Sequence, residues 1–205
     1  MNKKTGRELY LIAITVLLKF VMMDWLNMRA IYIVAICSAW IAFIYYRQKS
    51  DDKALERWGI RRQNFFSALA GLFPFALVSV AGSLIFWRYS GHPLPSWHIL
   101  MVLVLYLAWG TFQQFILVSL IVLKLLSYGR LTAILTGAIL FSLIHTPDPL
   151  LMVYTFIMEV WFISVFIKYR NLWSLGVTHG LAGTALLYFV QNRDLWAELL
   201  AWFVR

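Results

Sequence analysis

Seven apolar runs, at 8–26, 30–47, 64–88, 98–126, 131–146, 149–168 and 172–190, take up most of this 205-residue sequence. A helix needs roughly 20 apolar residues to cross the hydrocarbon layer of a membrane, within a range of about 17–25. A chain divided in this way is constrained to an all-α fold, a polytopic transmembrane bundle of about seven spanning helices. The fifth run is short and is expected to tilt or to span incompletely. The connections carry the breakers that such a fold needs: a charged loop from Arg47 to Arg62, Ser90-Gly91-His92-Pro93-Leu94-Pro95, Tyr128-Gly129-Arg130, and Pro147-Asp148-Pro149. Asn171 is placed to cap the last long helix.

Composition agrees. The sequence is 62% apolar and 13% charged, against about half and about a quarter in soluble domains. The net charge of +9 lies in short stretches between apolar runs. That is a membrane-topology pattern rather than a nucleic-acid face, so no nucleic-acid partner is expected. With the N-terminus inside and sides alternating, thirteen Lys and Arg residues fall on inner segments, among them Lys3, Lys4, Arg7, Arg47, Lys124 and Lys168. Only Arg29, Arg88, Arg193 and Arg205 fall outside.

The N-terminus resembles a signal peptide. No small-x-small cleavage site follows, Asp24-Trp25-Leu26-Asn27 coming instead, and a retained first helix is expected. The single cysteine, Cys37, gives no compartment and reads as a small packing residue. The tail, with Leu195, Leu199 and Trp202 near helical spacing, is expected to form an interfacial helix that anchors the chain. Residues 1–205 form a single integral membrane domain, whose lipid-facing surface makes membrane lipids its first partners; the oligomeric state is not legible.

Ionisable residues inside spanning segments are functional candidates by default. Lys19 lies near a helix end and can snorkel to the interface beside Asp24. Gln113 and Gln114 are adjacent, so they point about 100° apart and cannot both face lipid cheaply. They are candidates for interhelical hydrogen bonding or for a site. His145 closes the fifth run, with Phe141 one turn earlier on the same face. His179 lies between Gly176, Gly180 and Gly183, glycines that allow a neighbouring helix to approach closely. Glu159 is read as the only acidic residue well inside the apolar segments. It is a candidate general base or acid, with a hydrogen bond to Gln or His as the alternative.

Three segments occur in a telling order: Trp109-Gly110-Thr111-Phe112-Gln113-Gln114, then Phe141-Ser142-Leu143-Ile144-His145, then Asn171-Leu172-Trp173-Ser174-Leu175-Gly176-Val177-Thr178-His179. Across about 98–190 this resembles the CAAX-protease and bacteriocin-processing family of intramembrane proteases. That family's motifs are Glu-Glu-x-x-x-Arg, Phe-x-x-x-His and His-x-x-x-Asn. The departures are Gln113 and Gln114 at the glutamate positions, Val118 at the arginine and Gly183 at the asparagine. The resemblance implies a catalytic or binding core at 98–190, and a membrane-associated peptide or protein as substrate. It further implies an integral protein of a bacterial plasma membrane.

In the family the first-motif glutamate activates water, one histidine assists, and the last histidine with the asparagine stabilises the oxyanion. An amide has no useful basicity, but Gln113 and Gln114 can still donate hydrogen bonds to an oxyanion. Another base is then required, and Glu159 is the first candidate, with His145 or His179 as the others. No cofactor is expected. Zinc held by the two histidines and Glu159 is the lesser alternative, because no His-Glu-x-x-His motif is present. Three functions stay open: a divergent endopeptidase, a non-catalytic descendant binding a peptide, lipid or partner as an immunity or maturation accessory, and a small-molecule or proton carrier. Counting along the helices puts His179 nearer the inner face and His145 nearer the outer one, so a shared site requires tilted or shortened helices.

Overall fold

A computed structural model of the chain describes the backbone of residues 3–93 and 95–203. The side chains of residues 1–7, 29, 30, 94 and 202–205 lie outside the described residues. With them go Lys3, Lys4, Arg7, Arg29 and Arg205 of the charge pattern, and Trp202 and Phe203 of the tail.

Every expected run is helical, and no strand occurs among the described residues. The helices are α1 (Lys3–Leu18), α2 (Arg29–Ser50), the short α3 (Ala54–Arg57), α4 (Phe65–Ser90), α5 (His98–Tyr128), α6 (Arg130–Leu143), α7 (Pro149–Tyr169), α8 (Leu172–Ala185) and α9 (Leu195–Phe203). A π-helical stretch extends α1 through Lys19–Trp25, interrupts α5 at Phe115–Val122 and extends α8 through Leu186–Val190. Four helices are each long and apolar enough to cross a membrane: Ile31–Ser50 within α2, then α4, α5 and α7. The fourteen residues of α6 rise only about 21 Å, well short of a hydrocarbon layer of about 30 Å. The brevity of the fifth run is therefore real.

The caps follow the sequence signals. Asp148 Oδ1 accepts from the Leu151 amide at 3.0 Å, with Pro149 opening α7. Asn171 Oδ1 accepts from the Ser174 amide at 3.0 Å to start α8. The other half of that amide donates to the carbonyls of Arg61 and Gln63 at 2.7 and 2.9 Å. Asn171 thus welds the charged loop to the α7–α8 turn.

That loop is a plug rather than a solvated linker. Arg61 donates to the carbonyls of Arg170 and Tyr169. The Leu172 amide donates to the Gly59 carbonyl at 2.8 Å, and Ser119 of α5 donates to the Trp58 carbonyl at 2.6 Å. Gly59 sits at φ +81°, and a Cβ there would press on the Phe166 ring, so only glycine suits the turn.

At the same end Glu8 is only 7% exposed, with Arg47 at 3.3 Å and Lys124 at 2.6 Å. Glu8 opens the first apolar run and is buried at its edge, where two cations from α2 and α5 neutralise it.

The opposite end is closed by Asp194. It accepts from the Ala197 amide at the start of α9, from Ser96 just before α5 and His98 at its start, and from Tyr188 in the stretch that extends α8. Burial pushes this carboxyl up, but those four hydrogen bonds outweigh it and hold its pKa at about 2. Lys19 forms an ion pair with Asp24 at 2.7 Å and enters no site. Cys37 is a half-buried free thiol. The core between the two ends mixes aliphatic side chains with buried aromatics, Trp40, Trp58, Phe115, Phe162 and Phe166 among them.

Candidate functional site

The seam between α5 and α8 is where small residues matter. A Cβ at Gly180 would lie 2.9 Å from the backbone of Leu107, and one at Gly176 would collide with Thr111. Backbones this close bring the middle of α8 onto the middle of α5, as the glycine spacing predicts. Across the same seam Gly110 faces His179: a Cβ at Gly110 would lie 2.9–3.1 Å from atoms of that side chain. The missing side chain at Gly110 is the space the imidazole occupies.

Three predicted residues meet behind this seam. Gln114 and Glu159 are fully buried, and His179 is 7% exposed. Gln114 Nε2 donates to Glu159 Oε1 at 2.5 Å and to His179 Nδ1 at 3.2 Å. An amide nitrogen can only donate, so Nδ1 of His179 must be the ring's acceptor. Its proton then sits on Nε2. Gln114 Oε1 and Glu159 Oε2 are buried with no hydrogen-bond partner among the described residues.

His145 follows the opposite logic. Its Nδ1 lies 2.8 Å from the Phe141 carbonyl. A carbonyl can only accept, so Nδ1 carries the proton and Nε2 is left as the acceptor. The Phe141 ring packs against both imidazoles, with centroids 4.9 Å from His145 and 5.9 Å from His179. The Phe-x-x-x-His spacing therefore does two jobs at one helical turn: the carbonyl fixes a tautomer and the ring supports both histidines.

A cavity of about 100 Å³ opens here, lined among others by Gln113, His145 and His179. The two histidines that helix counting puts at different depths share one space. The reason is that α6 stops short and lets His145 turn inward after its last turn. Gln114 and Glu159 are not among the lining residues; they stand behind His179. Among the described residues no group of three His, Cys, Asp or Glu side chains is arranged to hold a metal ion.

Trp109, from the first motif segment, also lines the cavity, as do Tyr106, Tyr154, Thr155 and Gln191, which carried no signal in the sequence. Gly110 did carry one, since glycine in a helix interior costs about 1 kcal/mol and implies a close neighbour. Tyr106 accounts for a departure from the family motif. A Cβ at Gly183 would meet the Tyr106 ring at 2.7 Å, so that ring takes the space of a side chain at the asparagine position.

Residues 95–185 match a family model described as Type II CAAX prenyl endopeptidase Rce1-like. The matched segment runs from just before α5 to the end of α8 and contains all three motif positions. No curated protein and no solved structure matches the chain. Residues 95–185 are thus similar to that family, and the long apolar helices mark an integral membrane protein.

Proposed function

We propose that this chain is a divergent intramembrane endopeptidase that cuts a membrane-associated peptide or protein, with His145 as the base. The observation that carries this reading is a pair of opposed ring contacts at one cavity: His145 Nδ1 on the Phe141 carbonyl, which leaves Nε2 to accept, and His179 Nδ1 on the Gln114 amide nitrogen, which leaves Nε2–H to donate. In the reaction a water gives its proton to His145 Nε2 as its oxygen attacks the scissile carbonyl. The resulting oxyanion accepts from His179 Nε2–H and from the Gln113 amide. The C–N bond then breaks, and the His145 imidazolium returns the proton to the leaving nitrogen. A space of about 100 Å³ has room for a water and a carbonyl group but not for a peptide, so most of the substrate lies outside it. The setting is the plasma membrane of a bacterium with the N-terminus inside, and membrane lipids are the surrounding partners.

A second reading, non-catalytic binding of a peptide, lipid or partner, is favoured by one observation. Neither carboxamide at the motif can act as a base, and Glu159 lies outside the cavity lining. Co-expression with candidate membrane peptides separates the two. The endopeptidase reading expects cleavage by wild type, a loss of about 100-fold or more in His145→Ala, and a loss of about 100–1000-fold in His179→Ala. It also expects a gain in Gln113→Glu, which returns a carboxylate to the cavity. Capture of an intact peptide, with both alanine variants binding as wild type does, would leave only the second reading.

A further inference from the structure

We infer that Glu159 is a positioning residue, which acts through the Gln114 amide to fix the proton of His179 on Nε2. A glutamine between two partners can present either its NH2 or its oxygen, and the two orientations have opposite consequences. With the NH2 group forward, His179 Nδ1 accepts and Nε2 donates. With the oxygen forward, Nδ1 must donate and Nε2 loses its proton. The cavity would then hold two imidazole acceptors, with Gln113 as the one amide donor at the motif.

Nothing about His179 itself selects between these states, since a neutral imidazole satisfies either one. Glu159 does select. Its Oε1 lies 2.5 Å from Gln114 Nε2; a carboxyl oxygen that carries no proton accepts from an amide N–H and is repelled by an amide oxygen, whether the group is ionised or holds its proton on Oε2. The same nitrogen is the one 3.2 Å from His179 Nδ1. One hydrogen of the NH2 group therefore serves each acceptor. The chain of choice runs from carboxylate to amide to imidazole.

The arrangement leaves Gln114 Oε1 and Glu159 Oε2 buried and unpartnered. His145 has its own arrangement, since the Phe141 carbonyl fixes its proton independently of Glu159. The two histidines can thus be set in opposite tautomers by two unrelated devices.

The test uses the full-length protein, labelled with 15N-histidine and placed in lipid nanodiscs, with the ring nitrogens read by NMR. Signals are assigned with His145→Gln and His179→Gln. In the wild type, His179 is expected to carry its proton on Nε2 and His145 on Nδ1. In Glu159→Gln, which keeps the shape of the side chain but donates as readily as it accepts, His179 is expected to become a mixture of tautomers. In Gln114→Leu the preference is expected to vanish. His145 should stay unchanged in both variants, which also reports that the fold is intact.

A wild-type His179 protonated on Nδ1 would overturn the inference without any variant. So would a His179 that keeps its Nε2 proton undiminished in Glu159→Gln, whatever Gln114→Leu does. Where a cleavage assay is available, the inference rests on the endopeptidase reading and adds a kinetic arm. Glu159→Gln should lower kcat by about 10–100-fold, less than outright removal of an oxyanion donor at roughly 100–1000-fold, and leave KM within about twofold. The tautomer arm needs no substrate, so a failed tautomer result and a failed hydrolysis result remain distinct.

Discussion

Gln114 stands at the meeting point of three helices, and its energetics are those of a partly satisfied polar network in a low-dielectric interior. It has two acceptors on its nitrogen and none of its own needs met on the oxygen. Removing one member should therefore hurt more than removing both. Gln114→Leu strands a fully buried Glu159 and is expected to cost about 1–3 kcal/mol. The double variant Gln114→Leu, Glu159→Leu is expected to be near neutral or more stable than wild type, since both desolvated groups leave together. Thermal unfolding of the two single variants and the double in one detergent checks this. A double variant destabilised by the sum of the singles would contradict the network.

At this scale the sequence was only half legible. Phe141 and His145 could be paired because one helical turn links them. Gln114 and Glu159 are far apart in sequence, and no periodicity joins a residue of α5 to one of α7. The direction of the amide was not readable at all, and it is what links Glu159 to the His179 ring.

Helices α5 and α8 are held at a distance that glycine sets. The spacing of Gly176, Gly180 and Gly183 announced a close approach, but it could not name the opposing helix or reveal Gly110 facing His179. Gly180→Ala is the sharpest probe, because its new Cβ would meet the Leu107 backbone at 2.9 Å as well as the tip of that side chain, and backbone cannot rotate away. The two helices must separate, at an overpacking cost of about 1–3 kcal/mol. Gly82 in α4 is the matched control. Nothing lies within 4 Å of a Cβ built there, so Gly82→Ala should be neutral or stabilising by up to about 1 kcal/mol on helix propensity. Melting temperatures of the two variants should move in opposite directions, or the first should fall while the second holds. Equal behaviour would mean the seam does not limit the fold. The shortness of α6 belongs to this scale too: it was visible as a short apolar run, and it resolves the depth mismatch between His145 and His179.

For the whole molecule, the two ends are chemically different. Glu8, Arg47 and Lys124 join the start of α1, the end of α2 and the end of α5. The 58–64 segment then locks to the turn between α7 and α8. At the far end, His98 and Ser96 meet Asp194, and His92 meets the Phe189 carbonyl. These contacts gather alternate connections at alternate ends, the up-and-down order that the loop charges anticipated.

The end rich in Lys and Arg should then face the cytoplasm. In a Cys37→Ser background, Asp52→Cys is expected to react with a membrane-impermeant maleimide only in inverted vesicles. Pro93→Cys, at an exposed position of the opposite end, should react only from the outside. The reverse pattern would overturn the orientation, and labelling of both from one side would overturn the alternation. Orientation also bears on the chemistry. The cavity is lined by Leu186, Leu187 and Gln191 from the end of α8 beyond the histidines, on the side of His92 and Asp194 rather than Arg47 and Lys124. If the basic end is cytoplasmic, the cavity lies toward the outer half of the membrane, and a cleavable segment must present its scissile bond there.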